Sequence, residues 1–192
     1  MELPIPMQKG LFLDTTEGLE IREVNYFVDY HPYYKGRNPK FDERSASILE
    51  FKKGNPPSTI LLFAINVYNQ FDPEWENCCC VAVPSSDSSK TCTPVHIMIK
   101  VLVALNSSLQ DGSDVLVRTK KISKLSWGGK RDISVHLDSI DINPNSSIDV
   151  SGKDVLLIDD VMTTGNSLLA CESKLIDAGA NRVFFLTLAK TV

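Results

Sequence analysis

Asp159 and Asp160 stand side by side at the end of the apolar run Val155–Ile158, and a stretch of small, mostly polar residues follows at once: Val161, Met162, Thr163, Thr164, Gly165, Asn166, Ser167. The two halves of this segment suit different chemistry. Neighbouring carboxylates accept hydrogen bonds from hydroxyl groups, and each charge-assisted bond is worth about 1.5–3 kcal/mol. A turn that opens a helix presents unpaired backbone N–H groups and the positive end of the helix dipole, which together make a cradle for phosphate. Thr163, Thr164 and Ser167 can each add a hydroxyl donor, and Gly165 allows close approach of a ligand or a positive φ. Acids and an anion site repel the same ligand unless that ligand carries both hydroxyls and phosphate. A ribose 5-phosphate group satisfies both halves, with the aspartates on its 2′- and 3′-hydroxyls and Met162–Ser167 around its phosphate.

Such a site needs an edge where a strand ends and a helix begins. Val155–Ile158 reads as a buried strand, and 166–178 as a helix with Leu168, Leu169, Leu175 and Ile176 at helical spacing, stopped by Gly179. Upstream, CCCVAV at 78–83 reads as a buried strand, Val95–Leu105 as an apolar helix opened by Thr93-Pro94, and DVLVR at 114–118 as another strand. Residues 119–150 look irregular, with two strand-like pieces, ISVHL at 133–137 and SIDI at 139–142, and RVFFLTL at 182–188 is the last strand. Nearer the N-terminus the spacing predicts a hairpin and an irregular connection up to Asp42, a helix over Glu43–Lys53 stopped by Gly54, and a second helix over Pro57–Phe71. Strands alternating with helices predict an α/β fold, a parallel sheet flanked by helices. Ligands of such sheets bind at the carboxyl ends of strands, which places the acid pair at the binding edge and Val161–Ser167 in the loop after it.

An aspartate pair after an apolar strand also occurs in response-regulator receivers and in some Mg-dependent phosphohydrolases. The hydrolases favour two aspartates separated by one residue, and a receiver needs several elements after its acid pair, whereas here one helix and one strand remain. A plain capped turn leaves the conjunction of apolar strand, acid pair and Thr-Thr-Gly unexplained.

The 192 residues fit one domain, and the composition is ordinary for a globular chain at 43% hydrophobic and 23% charged. A net charge of −4 gives no global attraction for nucleic acid or acidic membrane, so any basic function must be local. No apolar run reaches the ~18 residues of a membrane span, and the start lacks the layout of a signal peptide; the expected location is the cytoplasm. Cys78, Cys79 and Cys80 are consecutive, Cys92 and Cys171 stand alone, and no spacing matches zinc. All five are expected to be reduced, small hydrophobes in a strand and a helix.

Val155–Ser167 resembles the phosphoribosyl pyrophosphate (PRPP) motif of type I phosphoribosyltransferases, and the stretch GKDVLLIDDVMTTGNSLLACESKLIDAGANRVFFLTLAKTV is most similar to the ComF-like branch. The likeness is strong over Gly152–Ala189, weaker over Cys80–Val150, and faint before that. It implies a single domain over 1–192: a small hood with leading helices over 1–76, and a PRPP-binding core over 77–192. It further implies Mg²⁺, reached through PRPP and water with no direct metal ligand, and transfer of a phosphoribosyl group to a nucleobase or amine with release of pyrophosphate. By position Asp159 and Asp160 match the acidic pair, the expected catalytic and ribose-binding residues, and Met162, Thr163, Thr164, Gly165, Asn166 and Ser167 match the 5′-phosphate loop. Ser167 stands where threonine is more usual, which keeps the hydroxyl. The cysteine-rich N-terminal metal module frequent in ComF-like proteins has no counterpart in the spacing here.

The resemblance assigns two further pieces. The loop after the first core strand binds pyrophosphate; here it is 84–90, with Ser85 and Ser86 letting the backbone approach an anion, Lys90 neutralising it and Asp87 within reach of a metal through water. A plain surface loop has the same composition. The second piece is 119–131, which with Arg118 carries six basic residues and no acid. Family members place a mobile lid there, with Gly128 and Gly129 as hinges and Trp127 as packing; a solvated basic loop or a local nucleic-acid patch are the alternatives. One aromatic is too few for a stacking platform, so nucleic acid is not the expected partner. Arg118, Arg131 and His136 are the candidate pyrophosphate contacts, while His31 and His96 have no expected role.

Two rivals come from other classes: a PRPP- or nucleotide-sensing protein that kept the fold without turnover, and a DNA-uptake accessory protein. Membrane binding is not expected. A homodimer is common among such transferases, and residues 1–76 leave the acceptor open.

Overall fold

A computed structural model describes residues 4–14, 20–122 and 132–192. The chain starts with an antiparallel hairpin, β1 (Gln8–Asp14) and β2 (Glu20–Tyr26), then the short β3 (Val28–Tyr30). Helices α1 (Glu43–Lys53) and α2 (Pro57–Asn69) follow. Asp42 caps α1 by accepting from the Ser45 amide at 2.8 Å, and Gly54 ends it at φ 66°, a left-handed position that suits glycine. The remaining elements are β4 (Cys79–Ala82), α3 (Pro94–Leu105), β5 (Gln110–Asp111), β6 (Leu116–Arg118), α4 (Ile133–Leu137), β7 (Ile140–Ile142), β8 (Asp154–Met162), α5 (Asn166–Asp177) and β9 (Arg182–Thr191).

The main sheet runs in the order β1-β2-β9-β8-β4-β5, with β3 also against β9. Every pairing in it is parallel except β1 with β2. Both faces are covered, which is why its central strands are apolar throughout rather than alternating. In β8, Leu156 and Ile158 enter a core with Phe51, Phe63, Met98 and Leu102, under α1, α2 and α3. Val155 and Leu157 enter a second core with Leu168, Leu175 and Phe185, under α4 and α5. Within the part expected to supply a hood and leading helices, β1 and β2 extend the main sheet, and α1 and α2 cover one of its faces.

Two local expectations change. ISVHL is not a strand but helix α4: Asp132 caps it through the Ser134 amide at 3.1 Å, and Ile133 and Leu137 reach the second core while Val135 is exposed. Apolar residues at i and i+4 fit a helix as well as alternation fits a strand, and packing on α5 decides between them. Strand β8 also runs past the aspartates, because β9 continues to pair with it at Val161↔Ala189 and Met162↔Lys190. Val161 and Met162 therefore belong to the strand, and the connection to α5 shrinks to 163–165.

Candidate functional site

Asp159 and Asp160 lie near the carboxyl end of β8, and strand alternation sends their side chains to opposite faces of the sheet. Asp160 follows Leu156 and Ile158 toward α1, where Lys52 Nζ lies 3.2 Å from its Oδ1. Asp159 follows Val155 and Leu157 toward α5, and its Oδ1 accepts from the Asp160 amide at 2.8 Å. Burial first, then the charge of Asp160, push the Asp159 carboxyl up to about 7. Thr187, its register partner on β9, is fully buried beside it, and Thr187 Oγ1 has no hydrogen-bond partner among the described residues. Burial opposes the charge on Lys52, but Asp160 and then Asp159 outweigh it and hold the ammonium above its usual range.

The acid pair opens on a cleft of about 620 Å³. Four basic side chains, Lys52, Lys53, Lys90 and Arg118, line it against two acidic ones, Asp159 and Asp160, so an overall acidic protein presents a cationic cleft. Ser85, Ser86, Thr93, His136 and Ser167 supply polar groups around the same space.

The turn after β8, the expected phosphate loop, is set by Gly165. Gly165 adopts φ 85° and precedes the first turn of α5, whose ladder begins with the Leu169 amide donating to the Gly165 carbonyl at 3.0 Å. A Cβ at Gly165 would come 2.5 Å from the Phe12 ring, so glycine is required here by the hairpin as well as by φ. The expected loop residues divide by environment. Ser167 lines the cleft and Met162 buries its side chain in the second core, leaving only its backbone for a ligand. Thr163 Oγ1 lies 3.0 Å from Thr191 Oγ1, and Thr164 Oγ1 accepts a long bond of 3.5 Å from the Asn166 amide.

Arg118 lines the cleft and is also held by the protein around it. It is buried, and Nε donates to the Ser85 carbonyl at 2.7 Å, Nη2 to the Pro84 carbonyl at 3.3 Å and Nη1 to Ser139 Oγ at 2.7 Å. It pins the first residues of loop 84–90. The start of the basic stretch closes on the same loop, through Lys121 Nζ to Asp87 Oδ2 at 3.3 Å and the Ile122 amide to the Ser86 carbonyl at 3.1 Å. Arg131, with Trp127, Gly128 and Gly129, lies outside the described residues. His96, buried at the start of α3, holds its N-cap, with Nδ1 2.8 Å from Thr93 Oγ1.

Lys52 and Lys53 were missed from sequence. A lysine pair in the last turn of a helix reads as complement to the helix dipole, and no local pattern says that this helix ends over β8. Cys92 was misread too: Cys78, Cys79, Cys80 and Cys171 are buried, but Cys92 is exposed on the loop that borders the cleft.

The family model of the phosphoribosyl transferase domain matches residues 95–191, half of the chain. The chain belongs to the phosphoribosyl transferase domain family. In this phosphoribosyl transferase domain the matched segment holds the acid pair, its loop and Arg118, whereas Lys52, Lys53 and loop 84–90 precede it. Similar solved structures include a hypoxanthine phosphoribosyltransferase from Staphylococcus aureus in an orthorhombic and a tetragonal crystal form, with TM-scores of 0.38 and 0.39 and 15% identity in both. The alignments cover 77% of this chain and 64% of those chains, so the chain spans under two thirds of their length. Among curated proteins none matches this sequence. No helix among the described residues is long and apolar enough to cross a membrane.

Proposed function

We propose that the cleft binds PRPP and that the protein transfers its phosphoribosyl group to a nucleobase or amine, as a ComF-like transferase of the cytoplasm. The observation that carries this reading is the convergence on one cleft of an acid pair, Ser167 in the first turn of α5, and four basic side chains. The carboxylates accept the ribose hydroxyls, and the amides of 163–167 with Ser167 Oγ hold the 5′-phosphate. Lys90 and Lys53 face the pyrophosphate, and Arg118 shapes the loop that receives it. In the reaction the bond from the anomeric carbon to pyrophosphate breaks, the departing oxygen keeps the electron pair, and the acceptor's lone pair forms the new bond. The basic side chains stabilise the charge that the leaving group gains. The acceptor's proton passes to a carboxylate, and Asp159, titrating near neutrality, is matched to that exchange.

Among the described residues no cluster of three or more His, Cys, Asp and Glu is arranged to hold a metal. Mg²⁺ would arrive on the phosphates and meet Asp159 or Asp160 through water, since Mg²⁺ keeps several waters and favours substrate phosphates. Bound there it would neutralise the pyrophosphate. Residues 1–76 are the proposed acceptor side and 77–192 the PRPP side of a single domain.

The test is calorimetric titration of PRPP with Mg²⁺ into the wild type and into Asp159→Asn/Asp160→Asn, followed by an acceptor screen reading pyrophosphate release. We expect micromolar-class binding that the double variant loses, and release with one class of acceptor. PRPP that binds but stays intact with every nucleobase and amine leaves a sensor; absence of wild-type binding sinks the reading.

A further inference from the structure

Lys52 Nζ approaches the Asp160 carboxylate from α1, outside the segment that the family model matches, and occupies space in the cleft that a ligand would enter. The pair is not sealed: the Lys52 side chain is 37% and the Asp160 side chain 30% exposed, so partner exchange needs no opening of the core. An ion pair this open holds weakly, and a stronger anion overcomes it. A pyrophosphate group carries more charge than one carboxylate, and a lysine ammonium on its flexible four-carbon stem has three donors with which to follow it. Lys53 and Lys90 line the same cleft, so a phosphate drawn there lies near Lys52.

We infer that Lys52 is an exchangeable counter-ion: it neutralises Asp160 in the empty cleft and transfers to the pyrophosphate of an entering ligand, which frees the Asp160 carboxylate for a ribose hydroxyl. This rests on the PRPP reading of the cleft and deepens it. The physical consequence is coupling between two halves of one ligand. A ribose phosphate without pyrophosphate must compete with Lys52 for Asp160, whereas PRPP supplies Lys52 with a better partner as it takes Asp160 away. Lys52 is thus a specificity-determining residue that favours the pyrophosphate-bearing ligand over its product-like fragment.

The test uses the full chain with three probes, PRPP, ribose 5-phosphate and pyrophosphate, each with Mg²⁺, titrated by calorimetry into the wild type, Lys52→Met and Lys52→Arg. Lys52→Met is expected to weaken PRPP and pyrophosphate by about tenfold, the loss of one charge-assisted contact, while ribose 5-phosphate binds as well as before or more tightly. Lys52→Arg keeps the charge and restores most of the PRPP affinity. A structural role alone would move all three ligands together and would lower the melting temperature of the ligand-free protein. Equal weakening of PRPP and ribose 5-phosphate, or no change in either, overturns the exchange. If Asp159→Asn/Asp160→Asn loses PRPP while Lys52→Met keeps the ratio of the two ligands, the PRPP reading stands and this inference falls; if the wild type binds neither ligand, both fall.

Discussion

Gly165 sits against the Phe12 ring at φ 85°, so close that a Cβ on it would come 2.5 Å from that ring. The hairpin at the start of the chain therefore presses on the turn that opens α5 near its end, and Phe12 in turn packs against Phe185 with ring centroids 5.8 Å apart. The contact joins the N-terminal strands to the candidate phosphate cradle.

Gly165→Ala is expected to destabilise the fold by about 1–3 kcal/mol, from strain at positive φ and from overpacking against the ring. Thermal unfolding reads this as a lowered melting temperature, with weaker PRPP binding in the same variant. Adding Phe12→Ala removes the clash but not the strain, so a double-mutant cycle should recover part of the loss; full additivity would show that Phe12 does not press on the turn.

Arg118 is expected to act on stability as much as on ligand. Arg118→Gln leaves the carbonyls of Pro84 and Ser85 short of a charged donor, and hydrogen bonds of that kind contribute about 1.5–3 kcal/mol. Arg118→Lys retains the charge but not the planar fork that reaches both the loop and Ser139, so it should recover little. Chemical denaturation of the ligand-free protein checks this; wild-type stability with lost PRPP binding would assign Arg118 to the anion instead.

The raised Asp159 carboxyl predicts a pH dependence with a definite sign. Its proton is held more tightly in the folded than in the unfolded chain, so the native state binds the extra proton between the ordinary carboxylate value of 3.8 and about 7. Stability contributed by this group is present at low pH and falls as pH rises through that window. Asp159→Asn removes the dependence, and its stability relative to wild type should grow with pH by at most about 1.4 kcal/mol per unit across the window. Melting temperatures at pH 5 and pH 8 measure it, and a difference that does not change with pH removes the buried-carboxyl account. PRPP affinity, which needs the ionised acceptor, should rise over the same window.

Much of the candidate site could be proposed from sequence because its signals are local. Apolar strand, acid pair and a small-residue turn before a helix occupy one continuous segment, and backbone N–H groups at a helix start point outward whatever surrounds them. Helix α1 was equally readable, since Asp42 and Gly54 cap it through contacts within a few residues. The segment 133–137 was not, because five residues satisfy two periods and the choice depends on what packs against them.

Sequence by itself determined the α/β alternation, the acid pair at a strand's carboxyl end and the glycine-bearing turn into α5. Only the tertiary structure decided that Lys52 reaches Asp160, that Arg118 ties loop 84–90 to Ser139, and that β8 carries its pairing through Met162. The reason is range. Caps, periodicity and turn geometry act within about one helical turn, whereas ion pairs across the cleft and strand lengths depend on which distant segments the sheet order brings side by side.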